Sequence, residues 1–160
     1  MRTAMLRRIT WLGLTLAILA GAQKYDGPRP PKPDLPYLKH ASNLIPTEAG
    51  TAKEEKKKDD TTYIVDGASS SARTPLASPI FLMQAGSISP DKLALYKLET
   101  KNGHREIFFP AKKPPQPIRI VVTKLTSDGL WKIEVDESLE AGEYSLSPEG
   151  SNQVFCFQVF

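Results

Sequence analysis

From Thr61 onward the chain sets short apolar or alternating runs between turn residues, the pattern of an all-β domain. Thr62–Val65, Pro79–Met83, Asp91–Leu98, Arg105–Phe109 and Ile118–Leu125 each predict a strand. Leu130–Val135 alternates cleanly, with Trp131, Ile133 and Val135 on one face and Lys132 and Glu134 on the other, so those three apolar residues are expected in the core. Asp66-Gly67, Asn102-Gly103 and Ser127-Asp128-Gly129 punctuate the runs, and Asn-Gly is the strongest hairpin signal among them. Ala68 to Ser78, rich in Ala and Ser, reads as a long loop or as one that hides an edge strand. No long amphipathic helix is written into the chain, which argues against α/β enzyme folds, whose parallel sheets need helical cover.

The last stretch organises the rest. Tyr144 and Leu146 alternate with Ser145 and Ser147, Pro148-Glu149-Gly150-Ser151-Asn152 marks a turn, and Val154–Val159 is apolar on both faces except Gln158. That is a closing hairpin whose second strand is covered on both sides. Before it, Leu139-Glu140-Ala141-Gly142-Glu143-Tyr144 has the form L-x-x-G-x-Y. This motif resembles the tyrosine corner of immunoglobulin-like sandwiches, in which the Tyr hydroxyl bonds back to upstream backbone. The resemblance implies structural roles for Leu139, Gly142 and Tyr144, with Gly142 at a position suited to positive φ. The ending GEYSLSPEGSNQVFCFQV, with the Pro-rich start, also resembles a class of uncharacterised secreted bacterial proteins, which implies fold and compartment and no activity. The expected architecture is an immunoglobulin-like antiparallel β-sandwich of about seven or eight strands over residues 61–160.

The N-terminal part is of another kind. Arg2, Arg7 and Arg8 precede an apolar run from Ile9 to Leu19, closed by Ala20-Gly21-Ala22. A basic start, a short apolar middle and an A-x-A end predict a signal peptide over 1–22 and export to the periplasm or beyond the cell. The run is too short to span a bilayer, so no membrane span is expected after cleavage, and no Cys follows it to carry a lipid. Residues 23–60 read as an extended arm or linker. Five prolines crowd GPRPPKPDLPY, and KEEKKKDD has no apolar face and reads as a short solvated helix or as coil. Leu35, Tyr37, Leu38, Leu44 and Ile45 are too apolar for a spacer and are candidates for an interaction arm that docks on the sandwich or on another subunit.

Charge narrows the partners. Of 21 Lys and Arg, three lie in residues 1–22 with no acid beside them, leaving 18 against 18. A neutral mature chain without a basic patch points away from nucleic acid.

Chemistry is sparse. Cys156 is the only cysteine, set between Phe155 and Phe157, and reads as a small buried hydrophobe. The two histidines, His40 and His104, lie far apart, with His104 expected to face solvent after its turn, so no metal spacing arises and no cofactor is expected. Ser69-Ser70-Ser71 sits in the loop without a G-x-S-x-G frame, and Asp136-Glu137 and Glu140 with Glu143 read as a solvated rim. The leading expectation is a secreted, non-catalytic module acting through a protein partner or self-association. The alternative is a carbohydrate- or small-ligand-binding domain, with Tyr96 and Phe109 as the ligand face. An enzyme with an unrecognised site, built on Cys156 or the carboxylates, is the third.

Overall fold

A computed structural model describes residues 24–160. The signal segment expected over 1–22 lies outside the described residues. Thirteen strands follow in order: β1 Tyr37–His40, β2 Asn43–Pro46, β3 Glu48–Thr51, β4 Lys53–Lys57, β5 Asp60–Asp66, β6 Arg73–Thr74 and β7 Ile80–Gln84 come first. β8 Leu93–Lys101, β9 His104–Phe109, β10 Ile120–Lys124, β11 Leu130–Val135, β12 Gly142–Pro148 and β13 Gln153–Val159 complete them. The only helical element among the described residues is a 3-10 turn at Pro90–Lys92. The fold is all-β, and its ladders are antiparallel apart from a short parallel pairing of β6 with β13.

Two layers form. One sheet runs β10-β11-β7-β1-β2; the other runs β3-β13-β12-β8-β9-β5-β4. The layers meet over an apolar core that includes Leu38, Phe81, Met83 and Ile133 from the first sheet and Leu95, Tyr144, Leu146, Phe155 and Phe157 from the second. Phe81 and Phe157 meet edge-on with centroids 5.0 Å apart, an arrangement worth about 0.5–1.5 kcal/mol beyond burial. Trp131, expected in this core, stands at its margin. It is half-buried at the start of β11, where Lys124 Nζ lies 5.9 Å from its ring centroid, while Ile133 and Val135 carry the core face.

The excess over about seven or eight strands comes mainly from residues 23–60, where an arm was expected. β1 pairs with β7 and with β2, so Tyr37 and Leu38 are buried at 4% and 0% exposure in the chain's own sheet, and Ile45 packs on the same core. Leu35 also packs there, and Leu44 sits half-buried on β2. The candidate interaction arm is therefore used within the molecule. The charged run expected as helix or coil is β4, exposed along its whole length and held by its ladder to β5. Pairing to a strand with a buried face outweighs the weak intrinsic preference of Lys and Glu.

The second sheet closes on itself. Its two border strands, β3 and β4, are consecutive pieces of one run from Glu48 to Lys57, interrupted only at Ala52. β3 bonds to β13 and β4 bonds to β5, so the sheet rolls up and encloses an interior of its own. A second cluster fills it: Ala52, Val65, Leu98, Val154 and Cys156, with Tyr63 and Ile107 against them. β12 and β13 thus separate two interiors. Tyr144 and Leu146 point into the sandwich core, whereas Glu143 and Ser145 are buried on the opposite face, where solvent was expected.

The corner has definite geometry. The Tyr144 hydroxyl donates to the Glu140 carbonyl at 2.7 Å, and its ring stacks on Phe157 at 5.6 Å. Leu139 is buried, and its amide donates to the Ala77 carbonyl. Gly142, expected at positive φ, is instead ordinary extended backbone opening β12 opposite Val159. The ladder to β13 sets that conformation.

Candidate functional site

The rolled sheet has two ends of opposite character. Along β9 the inward positions are Arg105, Ile107 and Phe109; along β12 they are Glu143, Ser145 and Ser147. One end is polar and plugged; the other is aromatic and open.

At the plugged end Arg105 is completely buried. Its Nε donates to the Gly67 carbonyl at 2.8 Å, Nη1 to Ser70 Oγ at 2.8 Å, and Nη2 to Glu48 Oε1 and the Asp66 carbonyl, both at 2.6 Å. Ser70 passes the chain of bonds on: its hydroxyl donates to Glu143 Oε2 at 2.5 Å and its amide to the same oxygen at 3.1 Å. The Ser71 amide donates to Glu48 Oε2 at 2.7 Å. The Ser69–Ser71 segment, expected as a free loop, is therefore locked across the end of the roll. Burial pushes the Glu48 carboxyl up, but the Arg105 hydrogen bond and the Ser71 amide outweigh it and hold the group below its ordinary value. Among the described residues Glu143 Oε1 has no hydrogen-bond partner. Glu143, expected on a solvated rim, is instead 4% exposed.

Cys156 lies between the two ends with no exposure. Burial drives its thiol up to about 11, more strongly than the nearby Arg105 charge pulls it down. A thiol with that pKa is protonated at neutral pH.

The open end is a cavity of about 160 Å³. Three rings from neighbouring strands line it: Tyr63 of β5, Phe109 of β9 and Tyr96 of β8. Phe109 stands between the others, 5.4 Å from the Tyr63 ring at 89° and 5.4 Å from the Tyr96 ring at 72°. Leu98, Ile107 and Val154 form the apolar depth. Beside Tyr96, on the neighbouring strand β12, Ser145 and Ser147 hydrogen-bond to each other at 2.8 Å. The β12–β13 turn, from Pro148 to Asn152, forms the remaining wall. Gly150 takes φ 72° at its tip, and the Asn152 carbonyl accepts from the Ala52 amide at 2.8 Å, fastening the turn to the break between β3 and β4. Burial, and then the charge of Glu149, push the Tyr96 phenol above its ordinary value.

Tyr96 and Phe109, named as a ligand face from sequence, thus come together in one cavity, and Tyr63 joins them. Tyr63 escaped notice because its strand reads as a short polar-flanked run; the ladder Thr61↔Phe109 and Tyr63↔Ile107 brings it into place. Leu139, Gly142 and Tyr144 lie at the corner, away from the cavity lining. His104, expected in solvent, is half-buried with Nε2 2.7 Å from Glu106 Oε2. Among the described residues no group of three or more His, Cys, Asp or Glu side chains is placed to hold a metal ion, and no helix is long and apolar enough to cross a membrane.

No family model matches the chain, and neither a curated protein nor a solved structure matches it.

Proposed function

We propose that the protein is an exported, non-catalytic β-sandwich module, immunoglobulin-like in its corner, that holds a small ligand in the open end of its rolled sheet. The observation that carries this is the convergence of Tyr63, Tyr96 and Phe109 around a cavity of about 160 Å³, comparable to the roughly 150 Å³ apolar cavities that take up one benzene-sized molecule. A single compact group fits; an oligosaccharide on a flat aromatic row does not match three rings set nearly edge-on. The basic start, apolar run and A-x-A end of residues 1–22 support export. The high thiol pKa of Cys156 and the ion-paired carboxylates of the plugged end support a non-catalytic role.

The test is an amide NMR titration with a library of small single-ring and branched fragments. Binding that moves the amides of Tyr96, Phe109 and Ser151, and that Phe109→Ala abolishes, supports the reading. Fragments that bind only elsewhere, or none that bind, overturn it.

Association with a protein partner is the second reading. Phe108, 52% exposed on the outer face of β9 beside Pro110 and Pro115, favours it. Light scattering of the wild type and Phe108→Ser tests this; a monomer in both removes self-association through that face.

A further inference from the structure

We infer that the cavity is an aromatic cage for a quaternary ammonium group, a small trimethylammonium cation of the choline type. This rests on the small-ligand reading above and commits it to one chemistry.

The rings supply the attraction. Tyr63, Phe109 and Tyr96 wall one side of the cavity from three adjacent strands, each ring turned steeply from its neighbour. A cation beside several aromatic rings is drawn to their negative faces, most strongly where water is displaced. The lining below, Leu98, Ile107 and Val154, suits methyl groups.

The polar groups say which cation. Ser145 and Ser147, on β12 beside Tyr96, hydrogen-bond to each other at 2.8 Å, and the depth beyond them is the apolar floor of Leu98, Ile107 and Val154, which offers nothing to a guest that carries N–H or O–H donors. A primary amine or a guanidinium would leave its donors unmatched there, as would the hydroxyls of a sugar ring. A tetraalkylammonium group has no donors to satisfy.

Charge at the rim has the right sign. Glu54 is held by Lys56 at 3.0 Å and by Asn152 at 3.3 Å, a pair that cancels itself. Glu149, in the wall beside Tyr96, has no ion-pair partner among the described residues. Glu149 thus sets an unpaired carboxylate at the mouth on the side of Tyr96. An anionic guest would meet that carboxylate, so free choline is favoured over phosphocholine.

The experiment titrates the full chain with choline chloride, with its neutral carbon isostere 3,3-dimethylbutan-1-ol, and with phosphocholine. Calorimetry gives affinity, and amide NMR gives the location. Choline is expected to bind at the Tyr96 and Phe109 amides at least tenfold more tightly than the isostere, with phosphocholine weaker than choline. Tyr96→Leu should abolish the preference, and Glu149→Gln, an exposed change that leaves the fold intact, should reduce choline affinity several-fold without affecting the isostere. Equal or tighter binding of the isostere at the same amides overturns the cation assignment while leaving the pocket standing. No shift at those amides from either compound, with fragments also silent, overturns both.

Discussion

Arg105 Nη2 lies 2.6 Å from Glu48 Oε1, an ion pair between residues 57 apart in sequence, with the guanidinium wholly out of solvent. Glu48 belongs to the run that forms both borders of the rolled sheet, and Arg105 sits inside it. The pair therefore ties the closing strand to the interior. Removing Arg105 leaves the half-buried Glu48 and the buried Glu143 without their cation, at a cost of about 3–5 kcal/mol. Arg105→Met is accordingly expected to lower the unfolding free energy by that amount in urea titration. An unchanged midpoint would show that the plug does not hold the roll together.

Tyr144 makes a lesser contribution. Its single hydroxyl bond to the Glu140 carbonyl, 2.7 Å long, is worth about 1 kcal/mol, while its ring keeps its place on Phe157. Tyr144→Phe should shift the unfolding midpoint by that much and leave the slope unaltered. Coincident curves for the two proteins would deny the bond an energetic role.

Asp34 fastens the segment before β1 to the loop after β7. Its carboxylate accepts from the amides of Gly86, Ser87 and Ile88 and from the Ser87 hydroxyl at 2.8–2.9 Å. Burial pushes the acid up, but these bonds win and hold it below its ordinary 3.8. A depressed folded pKa adds stability that is present above 3.8 and lost as pH falls through the lower folded value. Asp34→Asn should therefore be less stable than the wild type at pH 7 by about 1 kcal/mol, the site being partly screened by solvent. The gap should close below pH 3.8. A gap independent of pH would exclude the carboxylate as its source.

Cys156 should be silent to thiol reagents in the folded protein at pH 7 to 8, because it is fully buried and its thiol stands at about 11. Labelling with a chromogenic disulfide reagent should follow the unfolding curve in denaturant. Rapid labelling of the native protein would mean that the roll opens without unfolding.

The C-terminal hairpin was legible in the chain because its cues are local: the apolar run of β13, the turn at Pro148–Asn152, and the L-x-x-G-x-Y preceding them. The Asn102-Gly103 turn was equally plain, and both residues take the positive φ that favours the pair. The hairpins of β1–β2 and β4–β5 were hidden because their two-residue turns open on Ala41 and Lys58, which hold φ of 53° and 59° where Gly or Asn is usual. Without those turns, residues 37–57 look like a tether. The second interior was hidden for a different reason: serines at 145 and 147 resemble a wet face, and only the closure of a distant run across them makes that face an inside. The cavity was half-visible, since Tyr96 and Phe109 are prominent aromatics but Tyr63 reaches them only through the β5–β9 ladder. Arg105 carried one faint sign, a charge in step with Ile107 and Phe109 on a strand whose other inward residues are apolar.

The passage from Glu48 to Lys57 serves two neighbours at once, β13 on one side and β5 on the other. A hoop joined in that way cannot peel from one rim, because loosening either half tugs the other through the single residue Ala52. Unrolling the ring is then expected to break both ladders together, so the wet strand Lys53–Lys57 is tied at its Lys53 end to the dry strand β13.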